Sequence, residues 1–272
     1  MKIWTASRKP SSGQDGSFMV PLPDDGFIFE CNPRVPCFTD CCGELSLILT
    51  PYDILTLRRR LGLSSEEFLK RYTVDHKEPQ SPFPLLLLRM DSGGAAGRCP
   101  FVTKKGCSVY EDRPGACRLY PVGRASGGGG HDVPVTVRYF IIKEPHCMGF
   151  GRGPRWNIES WIQSQGADRY ERMNQPWIEI LTSPNPRKWE LSHRHLQMFY
   201  LTCYNLERFR DFVLEGGFLR RFELDEDTLK MVREDDEALL LLGMRWLRFA
   251  LYSEPTIKVK TEIKSPPSQQ QA

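Results

Sequence analysis

Long apolar runs are missing from this chain. No stretch of about 18 consecutive apolar residues could span a bilayer. Met1 to Gly26 likewise has no apolar run of the length an export signal requires. Charge of one sign is also scarce: 37 Lys and Arg against 34 Asp and Glu leave a net +3, so charge does not argue for a nucleic-acid partner. Common catalytic signatures are absent too, with no serine elbow, H-E-x-x-H pair or Walker loop. Gly93, Gly94 and Gly97 belong to a turn, not a phosphate loop, because no Lys-Ser or Lys-Thr pair follows them. What remains is an ordinary soluble composition, 40% hydrophobic and 26% charged, long enough to build its own core.

Cysteine is the exception, and its placement is uneven. Cys31, Cys37, Cys41 and Cys42 open a segment continued by Cys99, Cys107, Cys117 and Cys147, while Cys203 stands alone in the remainder. With no export signal in view, the chain is expected in a reducing, cytoplasmic compartment, where thiolates bind metal rather than forming disulfides. Zinc and Fe–S clusters both take four thiolates. The spacings C-x5-C-x3-C-C and C-x7-C-x9-C match neither a zinc finger nor a ferredoxin, so they point to metal without naming one. Eight thiols exceed one four-ligand site. Either two sites exist or some cysteines serve other roles: on an extended backbone Cys41 and Cys42 would face opposite sides, serving different metals or leaving one to pack in the core. Arg113 and Arg118 could offset an all-thiolate zinc centre of charge about −2, or equally form surface salt bridges. The metal site is therefore expected at Cys31, Cys37, Cys41, Cys42, Cys99, Cys107, Cys117 and Cys147, with zinc or iron, possibly as an Fe–S cluster.

Local signals give an α+β outline: a small cysteine-rich, metal-centred domain of short strands and helices, then a helical C-terminal region. Residues 1–26, rich in Ser, Gly, Pro and Asp, are expected to be disordered. The cysteine domain spans 27–150, the helical region packed on it 151–252, and a disordered tail 253–272. Leu45, Leu47 and Leu49 alternate as a strand would. Thr50-Pro51-Tyr52-Asp53 reads as a cap, a first-turn proline and a capping-box acid, with Gly62 ending that helix. Ser64 to Glu67 starts a second helix, Leu85 to Met90 reads as a buried strand, and Asp112 to Cys117 as a brief helix. A flexible Gly127 to Gly130 loop precedes a strand over Val133 to Ile142. Gly149 to Gly153 reads as a turn. Asn157 caps a helix, and Tyr170 to Leu181 fit another that Pro176 could kink. One long helix is expected over Ser192 to Leu214, burying Cys203 as a small hydrophobe and leaving Arg210 in water. A last helix follows Asp225 to Asp227 and carries its stripe to Leu251.

These residues also carry a resemblance. Phe29-Glu30-Cys31 through Cys41-Cys42-Gly43, Leu49-Thr50-Pro51-Tyr52-Asp53-Ile54, Cys99-Pro100-Phe101, Gly106-Cys107-Ser108-Val109-Tyr110 and Cys117-Arg118-Leu119-Tyr120-Pro121 resemble the YkgJ-type cysteine-cluster family. The helical part resembles the C-terminal region of longer bacterial members, in Tyr204 to Arg210 and Asp235-Asp236. The resemblance implies a zinc- or iron-chelating domain whose partner is a metal ion. A similar cluster in a flagellin lysine N-methylase implies an alternative: an Fe–S-dependent enzyme in redox or protein methyl-transfer chemistry. The C-x5-C opening departs from the C-x2-C of shorter members at Cys31. His146 beside Cys147 is a further candidate ligand. His193 and His195 fall on different helix faces, and His76 and His131 have no partner pattern. Glu234 to Glu237 read as a solvated acidic face rather than a cation site.

Overall fold

The computed structural model describes residues 6–8, 18–78, 81–91, 97–128, 134–183 and 191–260. It begins where the sequence pattern is clearest. Leu45–Leu49 is a strand, and Thr50 then caps the helix Pro51–Leu61 through a complete capping box with Asp53. Gly62 closes that helix in the left-handed conformation. A second capping box, Ser64 with Glu67, starts the helix Ser65–Tyr72. Leu85–Leu88 and Thr73–His76 add antiparallel strands beside Leu45–Leu49. The opposite edge is taken by Ala6–Arg8.

A smaller sheet pairs Thr136–Ile142 with Val122–Gly127 on one side and Met19–Pro21 on the other. Two strands in the N-terminal 26 residues, Ala6–Arg8 and Met19–Pro21, thus have defined positions where composition led us to expect none. Within the tail expected after residue 252, Lys258–Val259 pairs with Phe222–Glu223, and Ile257 is buried. The glycine loop lies partly outside the described residues at 129–130, as do His131, Gly93, Gly94 and the final residues from 261 onward.

Helices carry the rest of the chain. Asn157 caps Ile158–Ser164, and Ala167–Thr182 continues as one helix through Pro176. The long helix expected over Ser192 to Leu214 is two: His193–Tyr204 and Leu206–Leu214. Asn205 divides them, because its side chain accepts from Arg208 N–H at 3.3 Å and so competes with the helical ladder. Asp235 divides the last helix in the same manner, accepting from Glu237 N–H at 2.8 Å between Glu226–Glu234 and Asp236–Tyr252.

One core runs through both regions. It joins Leu49, Tyr52, Leu57 and Phe68 to Trp177, Phe199, Phe209 and Leu247. A second, smaller core of Phe27, Phe29, Val122, Ile141 and Trp161 lies under the first cysteines. It is stitched by Phe150–Trp156, a strand that replaces the expected turn and pairs with Phe27–Phe29 across a bulge. The helical-region boundary expected at residue 150 falls inside this strand.

Candidate metal centre

Three backbone devices bring the cysteine segments together. The first run ends in a 3-10 turn, Asp40–Cys42, so Cys41 and Cys42 are not on the extended backbone the sequence suggested. Cys42 C=O accepts the N–H of Cys99 at 2.8 Å, and Glu44 N–H donates to Gly97 C=O at 2.8 Å. A two-residue hairpin then pairs Val102–Thr103 with Gly106–Cys107. Gly106 sits at φ +114°, and a Cβ there would stand 3.1 Å from the Phe38 ring, so glycine alone lets the hairpin close on the first run. On the far side, Glu30 N–H donates to Gly149 C=O at 3.1 Å. A Cβ at Gly149 would lie 2.6 Å from Glu30 C=O, so this close approach also needs glycine.

The result is two groups of thiols. Cys31, Cys37, Cys41 and Cys147 line one small cavity of about 10 Å³, with Glu30, Tyr120 and His146 in its wall. Desolvation pushes the Cys31 thiol up to about 11, and the neighbouring Cys41, Cys37 and Cys147 add to it by like-charge repulsion. The second group is Cys99, Cys107 and Cys117, with Cys42 joined to it through the Cys99 backbone. Cys117 keeps an exposed edge, yet desolvation among dense neighbours pushes its thiol well above the ordinary value, with Cys99, Cys41, Asp53 and Cys107 contributing after that. Cys41 therefore stands between the groups, felt by Cys31 on one side and Cys117 on the other.

Several sulfurs accept hydrogen bonds from the backbone. Met148 N–H reaches Cys37 Sγ at 3.1 Å. Phe101 and Val102 donate to Cys99, Val109 to Cys107, and Gly149 to Cys147, which also pairs with Tyr120. Donors aimed at sulfur favour the thiolate over the thiol, the form that binds a metal. Burial works against them: it pushes Cys99 up to about 11 and raises Cys107 and Cys147. Among the described residues no group of three or more Cys, His, Asp or Glu is drawn into ligating geometry. The physical reason is consistent with both observations. A bound cation would displace the thiol protons and draw the sulfurs together. The donor set thus fits a thiolate-bound ion, while the final geometry awaits the ion itself.

Sequence reasoning did not find the groups that support these cysteines. Asp53, 1% exposed, accepts Thr50 N–H at 2.9 Å and Gly115 N–H at 2.8 Å, tying its helix to the start of Gly115–Leu119, which carries Cys117. Burial raises its carboxyl, the two N–H donors oppose that, and Arg118 opposes it further. Arg113 and Arg118 do not form surface salt bridges. Both are buried: Arg113 donates to Tyr110 C=O and Gln165 Oε1, and Arg118 to the carbonyls of Arg113, Gln165 and Glu111. Of the histidines, His146 lines the first cavity and stands 3.6 Å from Glu144. His195 instead caps its own helix, its Nδ1 2.8 Å from Ser192 Oγ, and His76 lies 3.4 Å from Glu78. Nor is the acidic run near residue 235 simply solvated: Asp235, Asp236 and Glu237 pair with Arg58, Arg59, Arg169 and Arg210. Arg210 is one of these partners and does not keep its head in water.

A mixed fold whose hairpins and turns converge on eight thiols defines a cysteine-cluster domain. Residues 30–148 match the CxxCxxCC family model, described as "Putative zinc- or iron-chelating domain". The helical region beyond residue 148 lies outside the match. No curated protein and no solved structure matches the chain. Among the described residues no helix is long and apolar enough to cross a membrane.

Proposed function

We propose that this protein is a metal-binding module that holds zinc or iron through two thiol groups, Cys31, Cys37, Cys41 and Cys147 in one and Cys42, Cys99, Cys107 and Cys117 in the other. The observation that carries the reading is the set of backbone N–H groups aimed at sulfur in both groups, at Cys37 and Cys147 and at Cys99 and Cys107. A buried structural thiol needs no such donors, and Cys203, pushed up by burial alone, has none of them. The family description supports the same chemistry. The first cavity is lined by four thiols, a donor set that suits a thiolate-bound metal. A bound ion would replace the proton on each thiol and fix the loops that carry them. The YkgJ-type resemblance and a cytoplasmic, reducing location accord with free thiols in every described position. Metal analysis of the anaerobically purified chain tests the reading. Zinc or iron bound in stoichiometric amount supports it, iron with visible charge-transfer absorption assigns an Fe–S cluster, and a metal-free protein with intact fold rejects it.

A further inference from the structure

The two thiol groups sit in opposite electrostatic surroundings. Behind Cys107 and Cys117 lie Arg113 and Arg118, each 7% exposed. Every hydrogen-bond acceptor they meet among the described residues is neutral: backbone carbonyls, the Gln165 amide and the Tyr170 hydroxyl. Asp53 is the buried carboxylate of this region, and two backbone N–H groups already occupy it. Arg118 lies near the Asp53 carboxylate and Arg113 near Glu111, yet neither arginine makes an ion pair among the described residues, so an adjoining anion would relieve the cost of burying them. A divalent ion in four thiolates is such an anion, with a net charge of about −2.

The first group has the reverse setting. The wall around Cys31, Cys37, Cys41 and Cys147 contains Glu30 and no lysine or arginine. Behind that wall Glu144 accepts from Tyr120 Oη at 3.0 Å and lies 3.6 Å from His146. The exposed Arg34, 3.9 Å from Glu30, offsets that carboxylate only weakly through water, and both carboxylates repel a net-negative centre.

We propose, resting on the reading that both groups take metal, that the two centres divide the work: the arginine-backed group keeps a structural ion, and the acid-walled group holds an exchangeable one. The exchangeable ion would be a zinc-like divalent cation delivered to or drawn from small-molecule thiols or chelators in solution. The division follows from charge, because the same four thiolates bind more tightly beside two cations than beside two anions.

Chelator competition on the full-length, zinc-loaded chain tests this. Transfer of zinc to 4-(2-pyridylazo)resorcinol should show two phases, the second slower by at least about tenfold, equivalent to about 1.4 kcal/mol. Cys37→Ser should abolish the fast phase and spare the slow one, and Cys107→Ser the reverse. Glu144→Gln, which removes the acid behind the first wall while leaving all eight thiols, should slow the fast phase. Release of two ions at one rate, or loss of the slow phase in Cys37→Ser, would overturn the division while leaving metal binding in place. Absence of bound zinc altogether would instead overturn the reading on which it rests.

Discussion

Asp53 Oδ1 accepts the N–H of Gly115 at 2.8 Å, across 62 residues of chain. This bond fastens the helix Pro51–Leu61 to the short helix that presents Cys117, and it gives the acid of the Thr50-Pro51-Tyr52-Asp53 turn a role beyond capping. Asp53→Ala removes both bonds and strands two buried N–H groups. A loss of about 3 kcal/mol is expected, the sum of a cap and a charge-assisted bond. Hydrogen exchange should show the loosening around Gly115 and Cys117 first. Unchanged protection there would break the proposed link between the two helices.

Chelation should act locally. The loops holding Cys31 to Cys42, Cys99 to Cys117 and Cys147 have little apolar surface of their own, and structural zinc supplies about 10–16 kcal/mol in small zinc-finger peptides. The helices Pro51–Leu61 and Ser65–Tyr72 instead share one core with the C-terminal helices. Removing metal should therefore free amides in the cysteine loops while those two helices stay protected. Hydrogen exchange before and after chelator treatment reads this directly, and loss of protection in Pro51–Leu61 would contradict it.

Cys203 is 1% exposed and lies between Phe199 and Leu206 in the main core. Cys203→Ala should leave the metal content unchanged and cost about 1 kcal/mol of packing. Cys107→Ala and Cys117→Ala should each lose metal, since a four-ligand site gives up a charged donor. Metal-to-protein ratios of the three purified variants decide it. Metal lost from Cys203→Ala and kept in Cys107→Ala would reassign the site.

The pH dependence should come largely from Asp236. Burial alone would raise its carboxyl, but the Arg210 hydrogen bond, with the charges of Arg58, Arg210 and Arg59, holds it below the usual carboxylate range. A depressed pKa stabilises the fold above the unfolded value of about 4 and loses that contribution as pH falls through the folded one. Urea midpoints should thus fall below about pH 4 in the parent chain. In Asp236→Asn they should already be lower at neutral pH, by about 3 kcal/mol for the arginines left unpaired, and should vary less on acidification. Parallel pH curves for the two proteins would exclude Asp236 as the source.

Much of the outline was legible in the linear chain because its signals are local. A threonine, a proline and an acid in four residues specify a helix start within one turn, and Thr50 to Asp53 does so here. Asn157 and the Leu45–Leu49 alternation work over similarly short distances. Even the breaks at Asn205 and Asp235 rest on single side chains, but a polar residue inside an apolar period reads equally well as a solvated helix position. The same composition of cysteines announced a thiol cluster, confined to residues 31–147.

Tertiary structure decided what no spacing encodes: which thiols share a space, and what surrounds them. Cys147 lines one cavity with Cys31 because Gly149 lets the two segments approach, and one backbone bond holds the segments of Cys42 and Cys99 together. Arg113 and Arg118 looked equally suited to water, and only the packing of Gln165 and Tyr170 against them shows that both are buried. Burial and neighbouring charge depend on contacts made across the whole fold, so the amino-acid order alone could identify the ligand chemistry but not the electrostatic setting of each thiol group.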